Sequence, residues 1–331
     1  MNGSRADDQN SVTAPIALSI VAPCYNEQDC LSEFVARMTK AAEATAGENY
    51  ELILVNDGSR DNTWACIRAI TQTNPRILGV NLSRNHGHQL AVTAGLSLTR
   101  GASILIIDAD LQDPPELLSE MTARLQEGFD VVYGRRRTRA KESAFKLVTA
   151  NLFYKGLRLL SDIDIPADTG DFRLMSRRIA DRLNAMPEHD RFLRGMVAWL
   201  GGKQTELLYD RDPRFAGQTG YTLSKMMRLA ANGVVGFSTR PLKLSVFFAG
   251  IGMLIGLGVV LYALTGYVLG TVAPGWTSQA LITVFFGVAQ LGCMAVIGSY
   301  LGRTYLQVKA RPLFMIDEIS ALPISRDPNT K

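Results

Sequence analysis

The stretch Ser103-Ile104-Leu105-Ile106-Ile107-Asp108-Ala109-Asp110-Leu111-Gln112-Asp113-Pro114-Pro115 decides the fold of this chain. A run of isoleucine and leucine ends abruptly in carboxylates, and the proline pair stops a strand from continuing. The reading is a buried strand, residues 103–107, whose carboxyl end carries polar groups. Four apolar runs of the same kind lie on either side of it, at 16–22, 51–56, 77–82 and 130–133. Helical patterns separate them near 27–45, 62–73, 88–98 and 115–127. Short apolar strands alternating with helices indicate an α/β fold with a mainly parallel sheet covered on both faces. Such a sheet offers its binding crevice beyond the carboxyl ends of its strands. Past Gly134 the alternation gives way to helix as far as Leu160, a short strand near 172–175, more helix to Leu200 and a strand at 204–209.

The rest of the chain divides by charge. Of 331 residues 47% are apolar and 20% charged, which is ordinary for a globular protein. Yet residues 244–302 contain no Asp, Glu, Lys, Arg or His. That length is about twice the roughly 20 residues of one membrane crossing, and Gly270, Pro274 and Gly275 break it, with Trp276 suited to an interface. Two transmembrane helices are therefore expected, at 244–269 and 278–301. Arg240 and Lys243 precede the first, while Arg303, Lys309 and Arg311 follow the second. The positive-inside rule then places both termini and the soluble domain in the cytoplasm. Ahead of the spans, residues 221–237 set Leu223, Met226, Met227, Ala230 and Val234 at helical spacing, the pattern of an interfacial or a core-facing helix. Residues 1–13 are polar, lack a signal peptide's basic start and apolar core, and are expected to be a disordered tail. The division is thus a tail (1–13), a soluble domain (14–220), a juxtamembrane helix (221–240), an anchor (241–302) and a cytoplasmic C-terminal tail (303–331). Cys24, Cys30, Cys66 and Cys293 form no CxxC pair and read as reduced thiols.

Three polar segments follow strand ends. In an extended segment, residues two apart face the same side, so Asp108 and Asp110 converge with Gln112 behind them. Two carboxylates and an amide oxygen are hard ligands, suited to Mg²⁺ or Mn²⁺, although Asp-x-Asp alone also suits a turn or a helix cap. In Asp57-Gly58-Ser59-Arg60-Asp61-Asn62-Thr63, Gly58 permits a tight turn and Asp61 or Asn62 can cap the next helix. Asp57 lies too early for capping and can accept the N–H of a nucleobase. In Pro23-Cys24-Tyr25-Asn26-Glu27, Asn26 is a candidate cap, Tyr25 offers a ring face and Glu27 an acceptor for ribose hydroxyls. The net charge of +4 is concentrated at Arg135, Arg136, Arg137, Arg139 and Lys141, and again at Arg211, Arg214, Lys225, Arg228, Arg240 and Lys243. Such clusters suit phosphates or an anionic membrane surface, or a merely solvated face. Of the three histidines, His86, His88 and His189, the first two fit hydrogen bonding within a loop or at a helix cap, with a catalytic role as the competing reading.

Taken together, in this order and spacing, these segments resemble the family 2 glycosyltransferases, and within them the polyprenyl-phosphate branch of bactoprenol glucosyltransferases and dolichol-phosphate mannose synthases. Asp108-Ala109-Asp110-Leu111-Gln112-Asp113-Pro114-Pro115-Glu116 carries the likeness most closely. Asn85-His86-Gly87-His88-Gln89, Gly170-Asp171-Phe172-Arg173-Leu174 and Arg214-Phe215-Ala216-Gly217-Gln218-Thr219 extend it. The resemblance implies a GT-A nucleotide-sugar-binding domain. Pro23, Tyr25, Glu27 and Asp57 should hold the nucleotide, with Ala109 beside it. Asp108, Asp110 and Gln112 should surround the metal and diphosphate. Arg135 and Lys146 should meet an acceptor phosphate, Arg214 and Thr219 should lie in a loop over the diphosphate, and Asp171 should sit near the sugar or acceptor or make a purely structural hydrogen bond. Gly220 stands where the family often has a lysine. The implied partners are a nucleotide-sugar, UDP-glucose favoured, a polyprenyl (undecaprenyl) phosphate, the bilayer of the cytoplasmic membrane and further copies of the chain in a tetramer, with no nucleic acid.

Competing readings are a polysaccharide synthase, a transferase with a soluble acceptor and a silent nucleotide-sugar-binding scaffold. The first normally carries a Gln-x-x-Arg-Trp segment, for which Asp190-Arg191-Phe192-Leu193-Arg194-Gly195 is a poor substitute. No GxGxxG opens a helix after the first strand, which disfavours a dinucleotide oxidoreductase.

Overall fold

A computed structural model describes residues 16–137, 169–210 and 275–322, with scattered positions between 242 and 269. The first unit runs β1 (Leu18–Cys24), α1 (Leu31–Ala46), β2 (Tyr50–Asn56), α2 (Thr63–Thr71), β3 (Ile77–Leu82), α3 (His88–Ser97), β4 (Ser103–Ile106), α4 (Leu118–Gln126) and β5 (Val131–Arg136). A single 3-10 turn, Pro115–Leu117, leads into α4. Then come β6 (Thr169–Ser176), α5 (Arg177–Ala185), α6 (Leu193–Leu200), β7 (Gln204–Tyr209), the long helix α7 (Trp276–Lys309) and β8 (Ile316–Ser320).

The described strands form one eight-stranded sheet in the order β7-β5-β6-β4-β1-β2-β3-β8. β1 to β4 pair in parallel, as do β5 and β7, while β6 and β8 run antiparallel to their neighbours. The apolar runs alternate between the two faces of the sheet, where they build three clusters. Ile20, Leu52, Leu54, Leu105 and Leu174 face Phe34 and Met38 of α1, Ile67 of α2 and Met121 of α4. Val21, Ile104, Ile106 and Met175 face Val92 and Leu96 of α3, Ile179 of α5 and Met196 of α6. Ile53, Val55 and Val80 pack with Ala91 and Ala94 of α3. Burial on both faces is why these strands read as continuous apolar runs.

At the amino ends of the strands, buried Glu51 locks β2 to β1 and to the turn before β4. It accepts hydrogen bonds from Ser19 Oγ (2.7 Å), the Arg100 amide (2.7 Å) and the Arg100 guanidinium (2.8 and 3.0 Å).

The C-terminal segment departs from expectation. Residues 303–331 were expected as a tail, yet β8 pairs antiparallel with β3, Thr71 and Ser320 hydroxyls meet at 2.7 Å, and Trp64 Nε1 donates to Glu318 at 3.2 Å. At 34 residues α7 is roughly 50 Å long. Its stretch Phe285–Lys309 is long and apolar enough to cross a membrane, and none of that stretch's most apolar window is buried. The last turns dock on the α/β unit: Gln307 Nε2 donates to the Pro187 carbonyl (2.6 Å), Gln307 Oε1 accepts from the His189 amide (2.9 Å), and Arg303 pairs with Asp190 (2.8 Å). Of the first expected span, the described positions such as 254–258, 261, 262 and 265 are helical. The rest of that span, the tail 1–13 and the juxtamembrane helix lie outside the described residues.

Candidate active site

Two loops beyond β1 and β2 are laced together. The Asn26 amide donates to Ser59 Oγ (3.0 Å), the Arg60 amide to Asn26 Oδ1 (2.8 Å), the Glu27 amide to Thr63 Oγ1 (2.9 Å) and the Asn62 amide to Gln28 Oε1 (2.9 Å). Asn26 adopts a left-handed φ of 58° and caps no helix, because α1 begins only at Leu31. Asp61 performs the local capping, accepting from the Thr63 amide (3.1 Å), while the Asn62 side chain does not. Pro23 is buried in β1, and the Tyr25 ring is 42% exposed at the loop tip. Gly58 has φ 62°, and a Cβ there would lie 2.4 Å from the Asn85 amide nitrogen. Only glycine lets this turn rest against the loop after β3.

That contact explains Asp57. Its Oδ1 accepts the His86 amide at 2.7 Å and its Oδ2 the Gly87 amide at 3.0 Å. Both oxygens expected to read a base thus also hold the loop that leads into α3. Burial pushes the Asp57 carboxyl upward, against the pull of these two N–H groups.

The segment after β4 is not extended. Residues 109–110 form a turn, Leu111 has a left-handed φ of 59°, and Asp110 Oδ1 accepts the Gln112 amide at 3.1 Å. The two-residue alternation expected of Asp108 and Asp110 therefore does not apply, and a tight turn carries them instead. The Ala109 carbonyl accepts from Cys30 Sγ (3.4 Å), whose thiol also donates to Glu27 Oε2 (3.0 Å). Burial and the Glu27 carboxylate push the Cys30 thiol up to about 12, so it stays protonated. All four cysteines are free. Behind the turn, buried Asp113 accepts a short hydrogen bond from the Tyr209 hydroxyl. Tyr209 packs edge-on against Phe172, with ring centroids 5.8 Å apart, over Gly134, where a Cβ would reach 2.7 Å from Phe172.

β6 supplies the next carboxylate. The last registered pair of β4 and β6 is Ile106 with Arg173, so Asp108 and Asp171 both lie two residues beyond it. His88, the first residue of α3, sits between them, its Nε2 3.1 Å from Asp171 and 3.6 Å from Asp108. Burial alone would lower the imidazole, but the Asp108 and Asp171 carboxylates outweigh it and raise it to about 9. Asp171 is further gripped by the Arg194 fork at 2.8 and 3.1 Å and by Gln89 Nε2 at 3.0 Å. Despite burial, Arg194 and His88 hold its carboxyl well below the usual range. Both Asp171 oxygens are thus engaged, by Arg194, Gln89 and His88. Asp108 is opposite in character. Burial, with Asp171, Asp113 and Asp110 nearby, raises it to about 6 against the pull of His88, and its Oδ1 accepts no hydrogen bond among the described residues. A cavity of about 320 Å³ opens beside this cluster, lined by His86, His88, Gln89, Asp171, Phe192 and Arg194.

Sequence reasoning missed the bridging role of His88, the anchor Arg194 and the buried Asp113. Arg135 lies at the carboxyl end of β5 as expected, where it pairs with Glu206 of β7 at 2.8 Å. Lys146, Arg214 and Thr219 lie outside the described residues.

Residues 19–183 match the family described as glycosyl transferase family 2. An uncharacterized glycosyltransferase of Bacillus subtilis (strain 168) is 44% identical over 306 residues, covering 92% of this chain and 94% of the relative. The chain belongs to glycosyl transferase family 2. This glycosyltransferase is also 34% identical, over 303 residues, to the bactoprenol glucosyl transferase of Shigella phage SfX, covering 90% of this chain and 98% of the relative. Among solved structures it is similar to glucosyl-3-phosphoglycerate synthase from Mycobacterium tuberculosis, with 20% identity, a TM-score of 0.43 and coverage of 66% and 77%. The architecture is α/β and GT-A-like, with a mostly parallel sheet. The carboxylate turn after β4 lies inside the matched span.

Proposed function

We propose that this glycosyltransferase moves glucose from UDP-glucose onto undecaprenyl phosphate, or a closely related polyprenyl phosphate, at the cytoplasmic face of a membrane. The observation that carries this reading is the convergence of Asp108, Asp110, Asp113 and Asp171 beyond β4 and β6, next to the laced loops of β1 and β2. The bactoprenol transferase named above is similar along nearly its whole length, apolar C-terminal region included, and supports the lipid acceptor.

The exposed Tyr25 ring is assigned to the base, Glu27 to the ribose, and the remaining lone pairs of Asp57 to a base N–H. No three His, Cys, Asp or Glu side chains among the described residues form a ready-made metal cage. The donor set nevertheless fits Mg²⁺ or Mn²⁺, which are commonly held by one or two carboxylates plus substrate phosphates. Asp108 Oδ1, which accepts no hydrogen bond among the described residues and has His88 Nε2 at 3.6 Å, is in this carboxylate-rich pocket the kind of group such an ion satisfies. Asp108, Asp110 and Gln112 would hold the ion, which when bound neutralises charge on the leaving diphosphate.

A phosphate monoester acceptor is already ionised at neutral pH, so no side chain has to remove a proton from it. That suits a site whose Asp171 is fully engaged. An acceptor oxygen forms the new bond to the anomeric carbon while the bond to UDP breaks, and the electron pair leaves with UDP. Direct displacement inverts the anomeric centre. The protein's task is placement and charge management: Arg135 for the acceptor phosphate, with Lys146, Arg214 and Thr219 as further phosphate contacts. Two membrane spans and a homo-tetramer complete the proposal.

The test is mass spectrometry of lipids after the full chain, in detergent, meets undecaprenyl phosphate and a panel of nucleotide-sugars. A lipid gaining one hexose from UDP-glucose, and no product from Asp110→Asn, is expected. Transfer only to soluble acceptors, or hexosyl lipid made equally by Asp110→Asn, would contradict the proposal.

A further inference from the structure

A second cavity, of about 240 Å³, opens where the carboxyl end of α7 meets the loop after β3. Its walls carry Arg84, His86, His189, Lys309, Arg311 and the apolar Leu306, and no described lining residue is acidic. Three separate parts of the chain converge there: the loop after β3 with the start of α3, the 187–190 loop, and the end of α7 with residues 311–313. The Gln307 and Arg303 contacts fasten α7 to the 187–190 loop, so the cavity is walled by docked elements.

None of its cations is neutralised among the described residues. Arg84 donates only to the Asn85 carbonyl at 3.4 Å, Lys309 lies over the Tyr305 ring at 5.3 Å, and Arg311 has no ion pair. His86 Nε2 is buried with no hydrogen-bond partner. Two guanidiniums and an ammonium around one small cavity, beside an imidazole nitrogen that makes no hydrogen bond among the described residues, form a donor set with its acceptor missing. Phosphate oxygens match it, being anionic and able to accept from several donors at once. Leu306 in the wall, with Leu301 and Tyr305 exposed on the same helix (66% and 62%), provides an apolar path away from the cavity. A phosphate attached to acyl chains uses both surfaces, whereas free phosphate uses only one.

We propose that this cavity binds the phosphate headgroup of an anionic membrane lipid and so fixes the α/β unit against the bilayer. The site is distinct from the acceptor phosphate assigned to Arg135, and its test does not read glycosyl transfer. Full-length protein in neutral detergent is offered phosphatidylglycerol, phosphatidylcholine or inorganic phosphate, and adducts are counted by native mass spectrometry. Each basic side chain near such a headgroup is worth about fivefold in affinity. The variant Arg84→Gln/Lys309→Gln/Arg311→Gln should therefore hold phosphatidylglycerol on the order of 100-fold more weakly than wild type. The charge-preserving Arg84→Lys/Arg311→Lys should keep most of it, and circular dichroism should show both variants folded. Equal phosphatidylglycerol retention by wild type and the triple variant overturns the site. Equal uptake of phosphatidylcholine, or inorganic phosphate bound as tightly as phosphatidylglycerol, overturns the lipid headgroup as its ligand.

Discussion

Replacing Asp171 by Asn tests the network that holds the candidate site in shape. The substitution keeps the side chain's size but strands Arg194 and His88, which meet the carboxylate at 2.8 and 3.1 Å. Breaking a buried ion pair from one side costs about 3–5 kcal/mol. Arg194 and His88 are 30% and 37% exposed, so water takes up part of the stranded charge. A loss of roughly 2–3 kcal/mol is expected, or about 5–10 °C in Tm for a domain of this size. The pH dependence identifies the cause. His88 is raised to about 9 from 6.5, so its contribution is complete below pH 6.5 and is lost as pH rises through about 9. Asp171 is depressed, so its contribution is present above its ordinary range and is lost only in strong acid. The gap between wild type and Asp171→Asn should therefore be wide at pH 6 to 7 and narrow above pH 9. With only three histidines in the chain, imidazole signals of chelator-treated protein can be followed by NMR, and His88 should titrate lower in the variant. An unchanged Tm, or a wild-type His88 titrating near 6.5, would refute the network.

Gly58→Ala should cost about 1–3 kcal/mol, because it forces a side chain into a left-handed turn against Asn85; thermal unfolding measures the loss, and calorimetry should show weaker UDP binding. Glu51→Ala lies at the opposite end of the sheet; it leaves the Ser19 hydroxyl without its acceptor and the Arg100 amide with only Ser19 Oγ at 3.2 Å. It should lower stability by about 2–3 kcal/mol while the KM for donor stays unchanged, since Arg100 can turn to solvent. Truncation after Ala310 removes β8 and bares the edge of β3. The shortened chain should aggregate, as light scattering would report.

Much of the fold was legible because burial on both faces writes strands as unbroken apolar runs; the expected 77–82 and 204–209 coincide with β3 and β7. β8 escaped because Ile316-Asp317-Glu318-Ile319-Ser320 is short, carries charge at two of its five positions and lies far along the chain from the strand it joins. The polar site was legible as residue types but not as partnerships. Asp57 is held by backbone amides, which no side-chain pattern reveals. His88 meets Asp171 only because the antiparallel register of β4 and β6 sets Asp171 abreast of Asp108. The left-handed Leu111, which turns the expected extended segment into a bend, carries no glycine or asparagine to announce it.

The central claim is that the Asp108–Asp110 turn receives the diphosphate end of a nucleotide-sugar. Titration calorimetry of UDP with Mn²⁺ present, on wild type and on Asp108→Asn and Asp110→Asn, addresses it directly. Wild type should bind, and each variant should lose at least tenfold in affinity while unfolding as a folded protein does. UDP bound with Mn²⁺ equally well by both variants would contradict the account.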